Sequence, residues 1–356
     1  MTLVRVAEGV DAGLPWHFGD PLAEQRRLDA GDGLVDLSNR DVLRVEGADR
    51  LTYLGRLATQ RLDQLAPGQS AAAYLLDSKG RLLYDLRLVA AADAVWLWTE
   101  PGRGPALADW LEQRKFRLDV RAVCRPDYAV FWSAGPDGAA AAGEPDGWIV
   151  RQGADSLGGA EWFAPRADLP ALFESPAESP RRAAGPLAAF QRASRAGVWA
   201  WEARRIAAGA PRIGLDTDER ALPNELGVPS DAVSLSKGCY PGQETVARIH
   251  NLGQPQRQLV RLHLDGSAET FTAPGTPLWQ TDGGTEPVGF VGSMAYHWQL
   301  GPIALALVQR TVAADAVLVA AGVACSVEPL WATAASRLLR PLPNLNRSRR
   351  RAGPLA

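Results

Sequence analysis

The chain has 356 residues, 46% hydrophobic and 22% charged, a composition of folded globular domains and long enough for two or three of them. Its 38 basic and 40 acidic residues nearly cancel to a net charge of −2, so no overall charge excess draws it to nucleic acid or a membrane surface. Three scattered cysteines (Cys124, Cys239, Cys325) exclude a disulfide framework and a cysteine–histidine zinc site; with no leader pattern and no apolar run near ~20 residues, a reducing, cytoplasmic location is expected.

In chain order, Val42–Glu46 reads as a strand, and Asp49 as the cap of a helix carrying Leu51, Leu54 and Leu57 on one face. Ala71–Leu76 and Arg81–Val89 form a predicted hairpin about the turn Asp77-Ser78-Lys79-Gly80. Val95–Thr99 is a further strand, Pro105–Phe116 a helix, and Val120–Cys124 and Ala129–Trp132 are extended. The Gly/Pro/Ala-rich stretch Ala134–Gly147 reads as a surface loop. Strands at Trp148–Val150 and Trp162–Ala164, a helix at Leu169–Phe173 and an irregular stretch at Pro176–Pro186 follow. Helical pattern returns at Leu187–Ala193 and Trp199–Ala208, stopped by Gly209 and Pro211. Beyond a boundary at Asn251–Gln256 the pattern changes to short β runs: Leu259–Leu264, Pro277–Gln280, Val288–Met294, Ile303–Val308, Val317–Val319 and Ala324–Val327. That spacing predicts a small antiparallel barrel or sandwich.

The most informative segment is Lys237-Gly238-Cys239-Tyr240-Pro241-Gly242-Gln243-Glu244, with Arg248 behind it. It reads as a cysteine on a tight loop feeding a short helix, with Gly238 permitting unusual backbone angles and Pro241 suited to the first helical position. Glu244 and Arg248 are four apart in the favourable acid-first order, and would fix the loop. A thiol near a helix N-terminus and beside Lys237 has reason to ionise. The plainer reading is a small buried hydrophobe beside a solvated helix face. Lys237 is one of only three lysines, with Lys79 and Lys115, in an arginine-rich chain, a hint that its site wants an ammonium. Cys124 and Cys325 sit in apolar strand patterns as core residues. His250 follows closely enough to reach the thiol, His263 sits in an alternating strand, and His17 and His297 have no evident partner; no metal ligand set is assigned.

Lys237 to Glu244 resembles the signature of the YgfZ family of folate-binding iron–sulfur assembly factors, paralogues of the glycine cleavage T-protein, an aminomethyltransferase. Asp36-Leu37-Ser38, Pro67-Gly68-Gln69, the run from Arg205 to Asp216, and Gly289–Met294 with Leu300–Ala306 resemble the same groups. The likeness spans about His17 to Val327. It implies an α+β fold of two interlocked ferredoxin-like α+β domains and a C-terminal antiparallel β-barrel, in a ring around a central channel for tetrahydrofolate. The corresponding divisions are 1–135, 136–253 with the cysteine motif, 254–340, and an Arg/Pro-rich flexible tail over 341–356.

The resemblance also implies roles. Asp85 is the surviving member of an aspartate pair that supports folate chemistry in T-proteins; Tyr84 replaces the other, which puts aminomethyl transfer in doubt. Glu225 resembles the glutamate that holds the pterin ring, since a carboxylate can accept two parallel hydrogen bonds from the pterin edge. T-proteins lack a cysteine in the Lys-Gly stretch, so Cys239 moves the chain to the YgfZ side. The implied function is a tetrahydrofolate-binding accessory protein rather than a conventional enzyme. It would support iron–sulfur cluster assembly or repair in client proteins, tRNA-modifying enzymes among them, without itself touching nucleic acid or membrane. Cys239 would be the working thiolate, kept ionised by Lys237, with Gly238, Tyr240, Gly242, Gln243, Glu244 and Arg248 as support. The alternative is a folate-dependent aminomethyltransferase or demethylase.

Overall fold

Alternation at period two resolves into two five-stranded sheets and a closed barrel in a computed structural model, which describes residues 3–135, 147–173, 190–227, 231–267, 271–281 and 284–330. The chain opens with a two-stranded ladder of β1 (Val4–Arg5) and β2 (Pro15–His17), then α1 (Pro21–Asp29) and β3 (Leu34–Asp36). Sequence reading missed α1, although Asp20 caps it by accepting from the Leu22 and Ala23 amides and Pro21 fills its first turn.

The first sheet has the order β5-β6-β7-β4-β8 and is antiparallel throughout, built from β4 (Asp41–Glu46), β5 (Ser70–Leu76), β6 (Leu82–Ala90), β7 (Ala94–Thr99) and β8 (Arg121–Cys124). Helices α2 (Arg50–Leu57) and α3 (Gly104–Glu112) bury Tyr53, Leu54, Leu107 and Leu111 against Leu43, Val45, Leu86 and Leu97. Asp49 does not cap α2 with its side chain; its carboxylate instead accepts from the Asp119 amide, tying the helix start to the approach of β8.

The second sheet has the order β10-β11-β9-β3-β12, with β9 (Tyr128–Ala134), β10 (Ile149–Arg151), β11 (Gly159–Pro165) and β12 (Arg195–Ala196), the last parallel to β3. Its strands come from both sides of position 135, which is the interlocking of the two α+β units. One face packs Phe131 and Trp162 against α4 (Leu169–Phe173) and Phe190. The other joins Val89, Trp96 and Trp98 of the first sheet to Val35, Trp132 and Phe163 in a shared core. The stretches Ala134–Gly147 and Pro176–Pro186 and the tail lie wholly or largely outside the described residues; of the helix expected at Leu187–Ala193, residues 190–193 are described, and 190–192 are helical.

After α5 (Val198–Ala207) and α6 (Gln243–Leu252), six strands close a barrel in the order β13-β16-β15-β14-β17-β18. They are β13 (Arg257–Leu264), β14 (Pro277–Gln280), β15 (Gly289–His297), β16 (Gly301–Gln309), β17 (Val317–Ala320) and β18 (Val323–Pro329). Alternation decides which core each residue enters: Val260, Leu262, Ala304 and Ala306 fill the barrel, while Leu259, Ile303 and Leu305 face out onto the hairpin, α5 and the cysteine motif.

A buried charge network closes the centre. Arg205 of α5 donates to Glu202, to Asp216 at 2.9 Å and to the Ser293 hydroxyl of the barrel, while Asp216 accepts the Ser293 amide at 2.6 Å. Arg212 forks onto Glu100 at 2.9 Å and Asp11 at 2.6 Å, linking the first sheet to the N-terminal ladder. The Arg205–Asp216 run and the Gly289–Met294 run singled out in the sequence therefore meet: a Cβ on Gly292 would lie 2.3 Å from Asp216 Oδ1.

Candidate functional site

The cysteine motif is clamped to α2 and to the hairpin turn. The last carbonyls of a helix lack intrahelical donors, and Lys237 supplies them: its Nζ donates to the carbonyls of Gly55, Ala58 (2.5 Å) and Gln60 (3.1 Å). A compact ammonium can aim its three donors at three converging carbonyls, which the fixed planar fork of a guanidinium cannot. Nζ also lies 5.1 Å from the centroid of the Tyr240 ring. Thr59 Oγ1 donates to Ala232 O at 2.6 Å, and the Ser234 amide returns to Thr59 O at 2.9 Å.

Pro241 and Gly242 form the centre of a type II turn: Gly242 has φ 77° and ψ 0°, and the Gln243 amide donates to Tyr240 O at 3.2 Å. Pro241 thus precedes the N-cap and is not the first helical residue. Gly242 touches the hairpin turn so closely that a Cβ would sit 2.6 Å from both Asp77 O and Gly80 Cα. Gln243 Nε2 donates to Lys237 O, closing the loop at 3.3 Å. The Tyr240 side chain is buried among Leu82, Ala203 and Val246.

Cys239 is exposed, beside a cavity of about 420 Å³ lined by Thr52, Gly55, Arg56, Arg61, Asp63, Lys237, Gly238 and Cys239. Gly238 has no left-handed backbone, contrary to expectation, and a Cβ there would meet nothing within 4 Å. Lys237 does not engage the thiol, because its three protons go to carbonyls; it positions the loop instead. Burial pulls its ammonium down to about 8. Glu244 and Arg248 are both exposed and form no ion pair with each other, so they do not fix the loop. His250 stands in the last turn of α6, about 10 Å further along its axis than Gln243. Cys325 is buried in the barrel core, which pushes its thiol up to about 11; partial burial also raises that of Cys124. Sequence reading missed Arg56, Arg61 and Asp63, since only the return of the chain after α2 brings them to the motif.

No protein-family model matches the chain. It is 30% identical over 278 residues to the tRNA-modifying protein YgfZ of Yersinia enterocolitica, covering 73% of this chain and 80% of that protein. The same protein of Edwardsiella ictaluri is 30% identical over 64% of this chain and 69% of its own length. The chain belongs to the YgfZ family.

The fold relationship of the YgfZ family to aminomethyltransferases is also plain. The crystal structure of glycine cleavage system aminomethyltransferase T from Bartonella henselae superposes with a TM-score of 0.74 over 91% of this chain and 93% of that one, at 22% identity. The aminomethyltransferase of Pseudomonas syringae pv. tomato is 26% identical over 36% of this chain.

The two positions that the resemblance gives to folate differ sharply in their surroundings. Asp85, on β6 opposite Tyr74, is buried; Oδ2 accepts from Arg87 Nε at 3.2 Å and Nη2 at 3.0 Å, while Oδ1 meets no donor among the described residues. Burial raises its carboxyl, with Glu100 adding to the rise and Arg87 opposing it. Arg87 passes on to Asp155, which Arg151 holds at 2.6 Å; Arg151 in turn holds Glu161 at 2.6 Å, and Trp98 Nε1 donates to Glu161 at 3.0 Å. Asp85 therefore fits a ligand bearing an N–H donor. Glu225 does not fit as expected: Arg257 Nε and Nη2 donate to its two oxygens at 2.9 Å each, and the Leu222 amide adds a third bond at 3.0 Å. Arg257, which also holds Asp218, occupies the two-point edge that a pterin would need.

Among the described residues no cluster of three or more His, Cys, Asp or Glu is arranged to hold a metal, and no helix is long and apolar enough to cross a membrane. His263 Nε2 lies 2.6 Å from Glu328, a pair on the barrel wall.

Proposed function

We propose that this YgfZ-family protein is a tetrahydrofolate-binding accessory factor that supports assembly or repair of iron–sulfur clusters in client enzymes, with Cys239 as its working group. The observation that carries the reading is the exposed sulfur on the wall of an open cavity, on a loop held by Lys237, Gly242 and Tyr240. A structural cysteine is usually buried, as Cys325 is. A clamped, accessible thiol suits a transient bond to a client, a cluster or a one-carbon adduct, and thiolate is the soft ligand that iron–sulfur chemistry selects.

Tetrahydrofolate, when bound, supplies one-carbon carrier chemistry; within the protein, Asp85 Oδ1 would accept or hold a proton facing the ligand. The name tRNA-modifying protein carried by the relatives is consistent with tRNA-modifying clients, so any effect on tRNA would run through them. Client or assembly proteins are then the partners, in the cytoplasm, where three free cysteines stay reduced. Aminomethyl transfer is the weaker reading because Tyr84, packed on Trp110 and Arg103, stands in place of the second carboxylate.

Complementation of a strain defective in iron–sulfur enzymes tests the proposal. Wild type and Cys124→Ala should restore client activity and Cys239→Ala should not, at equal soluble levels. Equal rescue by Cys239→Ala removes the thiol from the mechanism.

A further inference from the structure

We infer that the cavity beside Cys239 is an anion-recognition subsite, which seats a small carboxylate- or phosphate-bearing molecule with its reacting atom against Sγ. This deepens the thiol reading above and rests on it. Three segments build the wall: one face of α2 carries Thr52, Gly55 and Arg56 at helical spacing, the returning chain brings Arg61 and Asp63, and the motif contributes Lys237 to Cys239. Gly55 admits that return closely, since a Cβ there would lie 3.2 Å from the Asp63 amide nitrogen.

The wall carries an excess of positive charge. Three cations, Arg56, Arg61 and Lys237, face one carboxylate, Asp63, for a local balance of +2 on a chain whose net charge is −2. Elsewhere Arg40, Arg87, Arg151, Arg205, Arg212 and Arg257 are each held by carboxylates. Among the described residues Arg56 has no hydrogen-bond or ion-pair partner, and the guanidinium of Arg61 makes one bond, to Ser236 O at 3.3 Å. Two guanidiniums with donors to spare on one concave wall form a site for oxyanions. Lys237 adds charge without a free donor, its protons being taken by carbonyls. A volume of about 420 Å³ lies in the range of small-molecule pockets, and the bare Cα of Gly238 leaves the approach to sulfur open. A cleft lined by one sign of charge concentrates ligands of the other.

Competitive alkylation of the full-length protein with iodoacetate and iodoacetamide reads this directly, with Cys239 followed by mass spectrometry. At low ionic strength the iodoacetate-to-iodoacetamide rate ratio at Cys239, relative to free cysteine in the same buffer, should rise several-fold. Arg56→Gln and Arg61→Gln should each lower it roughly threefold, Arg61→Lys should retain it, and Asp63→Asn should raise it. Salt at about 0.5 M should erase the preference. A ratio equal to that of free cysteine, unmoved by these variants, overturns the anion subsite while leaving the thiol reading intact. A Cys239 inert to both reagents takes down the thiol reading and the subsite with it.

Discussion

A side chain at position 242 has nowhere to go. The left-handed backbone and the contact with Asp77 O and Gly80 both demand glycine, so Gly242→Ala should cost about 2–4 kcal/mol in denaturant-melt stability. Gly238→Ala should stay within about 0.5 kcal/mol of wild type, because its Cβ would enter open space. Two glycines three residues from being neighbours in one motif thus differ in kind, which the sequence alone does not reveal. The scarcity of lysine did signal that position 237 wants an ammonium, but the carbonyl acceptors lie some 180 residues upstream and left no trace beside it. Glu225 shows the same limit: its local run looks free to bind a ligand, and Arg257, 32 residues on, takes both oxygens.

Elements were far more legible than contacts. All six barrel strands, the β5–β6 hairpin and α4 follow from alternation, turn residues and apolar runs, since these signals are local. The boundaries moved where tertiary contacts took over, as at Asp49, whose carboxylate serves Asp119 instead of its own helix. The hairpin also carries a testable imbalance. Asp85 has its carboxyl raised, so it binds a proton more readily folded than unfolded; the stability this gives is complete below the ordinary carboxylate range and is lost as pH rises through the folded value. Asp85→Asn should therefore leave neutral-pH stability within about 1 kcal/mol of wild type or improve it. Arg87→Ala should lose about 3–5 kcal/mol by leaving Asp85 without its cation, as read from urea midpoints. Folate binding followed by tryptophan fluorescence should fall in Asp85→Asn if Oδ1 serves the ligand.

At the scale of the molecule, a buried charge network runs beside the apolar cores and ties the ladder, the first sheet, α5 and the barrel together. Arg212 and its neighbours hold Asp11 and Glu100 below the usual carboxylate range despite burial. The stability these groups give is full above that range and is lost as pH falls through their depressed values. Acid should accordingly loosen the junction between ladder, first sheet and α5, seen as a red shift of tryptophan emission. Arg212→Met should move that transition to higher pH, and an unmoved transition would place the acid-sensitive step elsewhere. The runs Arg205–Asp216 and Gly289–Met294 stood out in the sequence, but their meeting with one another and with Asp11 and Glu100 did not, because the partners are spread from Asp11 to Ser293.

That spread bears on how the protein is made. Gln25 of α1 donates to Tyr296 O and accepts from the Trp298 amide, and β3 gains its parallel neighbour only at Arg195–Ala196. Helix α1 and strand β3 must therefore wait for the synthesis of some 160 to 270 further residues before their final neighbours exist. A chaperone able to shelter the nascent N-terminal segment would then raise yield more than one acting on the finished polypeptide.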